Sequence, residues 1–243
     1  MIFCYLYKTR LRRRFINAWV CGKKFISHLV NVVKMYKNIE FVCSGNNGRS
    51  PIAELIARNY LLKIGADSEY GAISSGTMVG IMDLGRPIEC MLPLINAAKQ
   101  RGAYNEEDLK QLEWFLETRN NREVREYFKQ ASAIFAKEEA EDREKLIKEF
   151  GIEGTVKKEK NRTMKSLDSI AVLPLDRKNY QEVLWIYHQA THAPLISVMS
   201  VLATGDLHAE VPNSFGKGIE AYRQAVEQLI REVPEVVRRI VGA

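Results

Sequence analysis

Residues Cys43-Ser44-Gly45-Asn46-Asn47-Gly48-Arg49-Ser50-Pro51 follow directly on the apolar run Ile39-Glu40-Phe41-Val42. A strand ending in a cysteine, a short loop with two glycines and a Ser-Pro helix start leave few folds open. Ser50 suits an N-cap and Pro51 the first helical turn. The helix continues with Ile52, Leu55, Ile56 and Tyr60 on one face and is expected to stop near Gly65. Unpaired N–H groups at such a helix start, with the helix dipole behind them, make an anion site.

The same residues carry a chemistry. Cys43 is the candidate nucleophile, because a thiolate is the reactive form and a helix N-terminus with a nearby arginine favours that charge. Gly45 and Gly48 are expected to let the chain curl so that successive N–H groups face one point. Ser44, Gly45, Asn46, Asn47, Gly48 and Arg49 are then the phosphate-binding set. Arg49 offers a planar fork for two phosphate oxygens, which lysine does not. Ser50 is placed to donate its hydroxyl hydrogen to the thiolate. The bland alternative is a buried structural cysteine followed by an ordinary turn. Gly-Asn, Ser-Pro and the strand–loop–helix context together favour the chemical reading.

The remaining chain alternates helices and short strands. Ala72–Ser75 reads as a strand, and residues 86–131 as helical throughout. Ala133–Ala136 fits a third strand, followed by a charged helix through Phe150. The mixed charges of Lys137–Lys148 read as a solvated face. Residues 151–168 are polar and Lys-rich, hence an exposed loop. Ile170–Leu173 and Leu195–Val201 are strand-like, with a helix marked by Tyr180, Val183, Leu184 and Tyr187 between them. Such alternation favours an α/β fold with a parallel sheet, and the ligand crevice then lies at the carboxyl ends of the strands, where Cys43 stands.

Cysteines at positions 4, 21, 43 and 90 show no Cys-x2-Cys spacing. That argues against a disulfide framework or structural zinc and for a reducing compartment, the cytoplasm. His188 and His192 lack the glutamate of His-Glu-x-x-His, and no Gly-x4-Gly-Lys-Ser/Thr occurs, so no metal or nucleotide site is read. Trp185, Tyr187 and Phe215 are read as core in the first place and as cleft walls in the second. No apolar run is long enough to span a membrane.

The formal charge of +6 is unevenly spread. Residues 1–34 hold eight basic residues and no acid, and removing those eight leaves −2 for 35–243. No nucleic-acid patch is therefore expected on the core. The basic extension, 1–34, reads as an arm for anionic surfaces, as a targeting segment, or as an upstream stretch before a start at Met35.

Val42–Glu54 resembles the loop of the low-molecular-weight protein tyrosine phosphatases, Val-Cys-x-Gly-Asn-x-Cys-Arg-Ser-Pro-x-Ala-Glu. Ser74-Ser75-Gly76-Thr77 parallels that family's Ser-Ala-Gly-Thr. Val211-Pro212-Asn213-Ser214-Phe215-Gly216 matches in part its late Val/Ile-Pro-Asp-Pro-Phe/Tyr-Gly loop, and the helix after it also matches. The resemblance is clear over 38–79 and 211–232. It implies a three-layer α/β fold, a small parallel sheet with helices on both faces. The domain would span 35–243, with helical inserts at about 80–130 and 151–192. It also implies a metal-independent, cofactor-free phosphatase working through a cysteinyl phosphate. Its partners would be phosphorylated proteins or small aryl phosphates, phosphotyrosine first.

Two departures from the family matter. The second loop cysteine is Gly48 here. The general acid is Asn213, and an amide cannot protonate a leaving group. Asp206 and Glu210 are the nearby carboxylates. Two other readings stay open. The related arsenate reductases share the loop but need resolving thiols, for which Cys90 is the candidate. A phosphate- or phosphoprotein-binding module that has lost its acid accounts for Asn213, but leaves Cys43, Arg49 and Ser50 together without a purpose.

Overall fold

The computed structural model describes residues 37–80, 87–157, 159–164, 168–188, 190 and 194–242. The basic extension, with Cys4 and Cys21, and His192 lie outside the described residues. Strands β1 (Lys37–Cys43), β2 (Tyr70–Gly76), β3 (Ser169–Pro174) and β4 (Leu195–Ile196) form one sheet in the order β2-β1-β3-β4. All neighbours are parallel. β1 is flanked on both sides: Ile39 pairs with Ala72 and Ala171, and Phe41 with Ser74 and Leu173.

Strand alternation divides the core. Ile39, Phe41 and Cys43 point to one face, where α1 (Arg49–Lys63) and α7 (Ile219–Val241) pack with Ile52, Leu61, Val226 and Leu229. Val42 and Val172 point to the other face and meet Val183 and Tyr187 of α5 (Arg177–Tyr187). Burying a side chain such as Phe41, which has no exposed surface, contributes about 1.5–3 kcal/mol. Covered on both faces, β1 has the near-continuous apolar character of a central parallel strand.

Among the described residues between β2 and β3, those from 88 to 149 are largely helical. A short 3₁₀ turn at Ile88–Cys90 leads into α2 (Leu92–Gln100), α3 (Glu106–Glu117) and α4 (Asn121–Glu149). Asn105 and Asp108 form a reciprocal capping box at the start of α3: Asp108 N donates to Asn105 Oδ1 at 2.9 Å, and Asn105 N to Asp108 Oδ2 at 3.1 Å. These helices bury a second core of their own, built on Met91, Ile95, Leu112, Tyr127, Phe128 and Phe135.

Three expectations are corrected. Ala133–Ala136 is no strand but the middle of the 29-residue α4. Val124, Tyr127, Phe128, Ala131 and Phe135 recur at helical spacing and bury together, which outweighs four apolar residues in a row. Leu195–Val201 is extended only over Leu195–Ile196, and α6 (Met199–Thr204) follows. Met199 and Ala203 bury one turn apart, and the Ser200 hydroxyl donates to Glu232 on α7 at 2.5 Å. The Lys-rich stretch is not wholly an exposed loop either. Gly76 N donates to Asn161 O at 2.8 Å, Thr163 N donates to Gly76 O at 3.0 Å, and Thr163 is buried.

Candidate active site

Cys43 ends β1 and is buried at the floor of a cavity. Its Sγ lies 3.0 Å from the Ser50 hydroxyl. That hydroxyl also lies 3.0 Å from Asn46 Oδ1 and 3.2 Å from Ser75 O. Ser50 is therefore not the helix cap. Gly48 holds the N-cap position, α1 begins at Arg49, and the Ser50 side chain turns toward the thiol and the loop's acceptors. The left-handed residue of the loop is Asn46, at φ 47°, not one of its glycines. Asparagine tolerates that region better than most side chains. Gly76 supplies the remaining room: a β-carbon there would stand 2.7 Å from Asn46 N and 2.8 Å from Ser44 O.

Arg49 is almost fully buried and held from three sides. Nη1 donates to Asp176 Oδ2 at 2.9 Å and to Val211 O at 2.8 Å, while Nη2 donates to Asn213 Oδ1 at 3.3 Å. Asp176 does double duty, since its Oδ1 caps α5 by accepting from Asn179 N at 2.8 Å. The buried Asn179 amide fits with its nitrogen toward Asp176 and its oxygen accepting from the Ser44 hydroxyl at 3.0 Å. The charge pair, the cap and the loop hydroxyl thus form one network. Sequence reading missed Asp176, although an aspartate between a strand and the helical pattern of Tyr180, Val183 and Tyr187 is an N-cap candidate.

The third side of the site comes from α4. Asn47 Nδ2 donates to Ala136 O at 2.9 Å and to Glu139 Oε2 at 2.8 Å, and the Arg143 guanidinium donates to Asn47 O. Residues 136, 139 and 143 share one helix face and grip the loop, while Lys137, Glu141, Lys145 and Lys148 stay exposed. The Lys137–Lys148 run is thus only partly a solvated face, because a helix presents such residues to both sides. Burial holds the Glu139 carboxyl above the ordinary carboxylate range; the Asn47 hydrogen bond and the charges of Arg49, Arg143 and Lys160 oppose that shift. Burial also holds the Tyr222 hydroxyl well above its ordinary value, with Glu139 adding to it.

These groups surround a cavity of about 380 Å³. Cys43, Ser44, Gly45, Asn47, Gly48, Arg49 and Asn213 line it; Asn46 and Ser50 stand behind it. Phe215 lines its wall, whereas Tyr187 is buried under the sheet and Trp185 is 81% exposed beside a separate depression. Neither Asp206 nor Glu210 reaches the cavity lining. Asp206 Oδ1 accepts from His208 N at 2.8 Å, and Glu210 Oε2 accepts from Arg177 N at 3.0 Å. Cys90 is exposed and lines the same cavity as Cys43. Among the described residues no cluster of His, Cys, Asp or Glu is arranged to hold a metal ion, and no helix is long and apolar enough to cross a membrane.

No protein-family model matches the sequence, and no curated protein matches it. Solved structures do match in fold. A mutant of YwlE from Bacillus subtilis has a TM-score of 0.52 at 15% identity, over 84% of this chain and 98% of that one. A low-molecular-weight phosphotyrosine phosphatase from Vibrio cholerae O395 has a TM-score of 0.52 at 15% identity, over 84% and 95%. The YwlE arginine phosphatase from Geobacillus stearothermophilus has a TM-score of 0.50 at 17% identity, over 85% and 94%. The four-stranded parallel sheet with helices on both faces is the low-molecular-weight phosphatase-like α/β fold, here with helical inserts.

Proposed function

We propose that the chain is a metal-independent, cysteine-dependent phosphatase that hydrolyses phosphotyrosine or other aryl or protein phosphate monoesters. One observation carries the reading. A buried cysteine lies 3.0 Å from a serine hydroxyl at the floor of a cavity, and a buried arginine with a fixed guanidinium plane stands beside it. A structural cysteine needs neither neighbour.

The geometry supplies the steps as follows. The Ser50 hydroxyl, 3.0 Å from Cys43 Sγ, is within hydrogen-bond reach of the sulfur, and the start of α1 directs its dipole at the same loop. Sulfur attacks phosphorus in line, and the ester oxygen leaves. Arg49, already oriented by Asp176 and Val211, needs little reorganisation to hold two equatorial oxygens. Water then cleaves the S–P bond and regenerates the thiolate. Residues 35–243 are the working domain and 1–34 an extension able to touch anionic surfaces; a chain starting at Met35 is expected to unfold cooperatively and bind phosphate as the full chain does. The working compartment is the cytoplasm, which suits a nucleophilic thiol.

The test is turnover of p-nitrophenyl phosphate, phosphotyrosine and phosphoarginine by wild type and Cys43→Ser. The panel includes phosphoarginine because one protein of this fold is an arginine phosphatase. Cys43→Ser is expected to lose turnover and keep phosphate binding, read as a thermal shift. Substantial activity in Cys43→Ser rules the covalent path out. Binding without turnover or phosphoenzyme in wild type leaves a binding module. The shared cavity wall of Cys43 and Cys90 favours one second reading, a reductase-like thiol pair. Mass spectrometry after mild oxidation decides it: a Cys43–Cys90 disulfide supports the pair, and sulfenic or higher oxides on Cys43 alone refute it.

A further inference from the structure

Asn213 cannot donate a proton in the way an aspartate would, and Asp206 and Glu210 lie outside the cavity. Among the described residues that line the cavity, Glu139 is the one carboxylate. It comes from α4, whose Ala136 carbonyl and Arg143 guanidinium also hold Asn47. Its Oε2 accepts from Asn47 Nδ2 at 2.8 Å, which leaves Oε1 outside that bond. Oε1 lies against Gly48, where any β-carbon would collide with it.

We propose that Glu139 is the general acid and base of this site, in the place the late loop leaves empty of a carboxylate. The inference rests on the phosphatase reading. In the first step the Cys43 S–P bond forms and the P–O ester bond breaks. The proton of Glu139 passes to the leaving oxygen. In the second step a water oxygen bonds to phosphorus, the S–P bond breaks, and the water's proton returns to Glu139. Ester and water become alcohol and phosphate, with both groups restored.

The surroundings favour the protonated form of the carboxyl. Arg143 and Asp142 flank Glu139 on its own helix. Arg49 faces it from α1, Lys160 from the loop before β3 and Tyr222 from α7, while Lys178 and Lys217 line the cavity. Burial raises the carboxyl against the pull of those cations. A bound phosphoryl dianion beside it raises it further, since a like charge disfavours ionisation. Behind Glu139 a small cavity of about 20 Å³ includes Ser214 and Tyr222, whose buried hydroxyls find no partner among the described residues. That space suits about one water and links the carboxyl to polar groups on the far side.

The experiment compares Glu139→Gln and Glu139→Asp with wild type, using pre-steady-state bursts and pH profiles. Phosphotyrosine needs its leaving oxygen protonated, whereas p-nitrophenolate leaves readily as an anion. Glu139→Gln is expected to lower kcat/KM for phosphotyrosine by about 10²–10⁴-fold and the p-nitrophenyl phosphate burst far less. The alkaline limb of the phosphotyrosine profile disappears with it, and Glu139→Asp retains part of both. Equal loss on the two substrates, an unchanged alkaline limb, or undiminished phosphotyrosine turnover overturns Glu139 while leaving the nucleophile intact. Should Glu139→Gln fold poorly, shown by loss of its phosphate-induced thermal shift, Glu139→Asp carries the comparison alone. Absence of any phosphoenzyme on wild-type Cys43 overturns the phosphatase reading and Glu139 with it.

Discussion

The carboxylate of Glu139 fills the space that any side chain at Gly48 would need: a β-carbon there would lie 2.5 Å from Glu139 Cδ. This explains a glycine whose φ is an ordinary −108°. Residue 48 is small because α4 comes close, not because the backbone turns left-handed.

Gly48→Ala is therefore expected to push Glu139 aside rather than to unfold the loop. Overpacking of this kind costs about 1–3 kcal/mol, and the lower part of that range applies because a carboxylate end can swing. Phosphotyrosine turnover should suffer more than stability. In a Glu139→Ala background the stability cost should largely vanish. A double-mutant cycle by urea unfolding checks this, and additive costs would show that residues 48 and 139 are not coupled.

Asp176→Asn keeps an acceptor for the α5 cap but removes the charge opposite Arg49. Both side chains are well buried, at 4% and 13% exposure. Breaking such a pair costs about 3–5 kcal/mol, and the Val211 carbonyl holds the expected loss near the lower end. Phosphate supplies the missing charge, so its thermal shift should be larger in the variant than in wild type. A smaller shift would mean that Asp176 matters through orientation alone.

Asn213→Asp places a carboxylate beside Arg49 Nη2, which already reaches Asn213 Oδ1 at 3.3 Å. The free protein should gain stability and bind phosphate less tightly, because Arg49 gains an internal competitor. In Glu139→Gln the same change should recover phosphotyrosine turnover by at least about tenfold, within the usual range of acid–base assistance. Steady-state kinetics of wild type and the three variants settle whether the two positions share one role.

Glu40 is buried on β1 and accepts from Ser75 at 2.5 Å and Ser169 at 3.0 Å. Burial raises its carboxyl above the ordinary value of 4.5 in spite of those bonds. The native state then holds a proton that the unfolded chain has released. Its contribution to stability is greatest below the ordinary carboxylate value and falls as pH rises through the window up to the raised one. Glu40→Gln should flatten that fall, gaining on wild type as pH rises, in unfolding curves taken from about pH 4 to pH 7.

The cysteine–arginine loop and the parallel sheet were legible because they are local. Cys43 to Pro51 states its strand, turn and helix within one short stretch, and Ile39 and Phe41 alternate as a buried strand must. Asp176, Glu139 and Arg143 were not legible, since each meets the loop across 92 to 127 positions of chain. Nothing in a charged helix shows which of its carboxylates a distant loop will hold. Ala133–Ala136 misled for a related reason: four apolar residues suit a strand or a buried helix equally, and only Phe128 and Phe135 together decide.

Helix α4 belongs to both cores at once. Its first half is rooted in the helical cluster through Tyr127 and Phe128, its second in the sheet core through Leu146 and Ile147. Between them it has no glycine or proline at which to bend. The helix is about 43 Å long, and Leu146 is its fully buried anchor in the sheet core. A tilt of about 10° there would carry residue 139, about 10 Å along the axis, by nearly 2 Å. Misplacement by about 1 Å is enough to cost 10²-fold in rate. The placement of Glu139 against the Cys43–Arg49 loop is in this way tied to how the outlying helices sit.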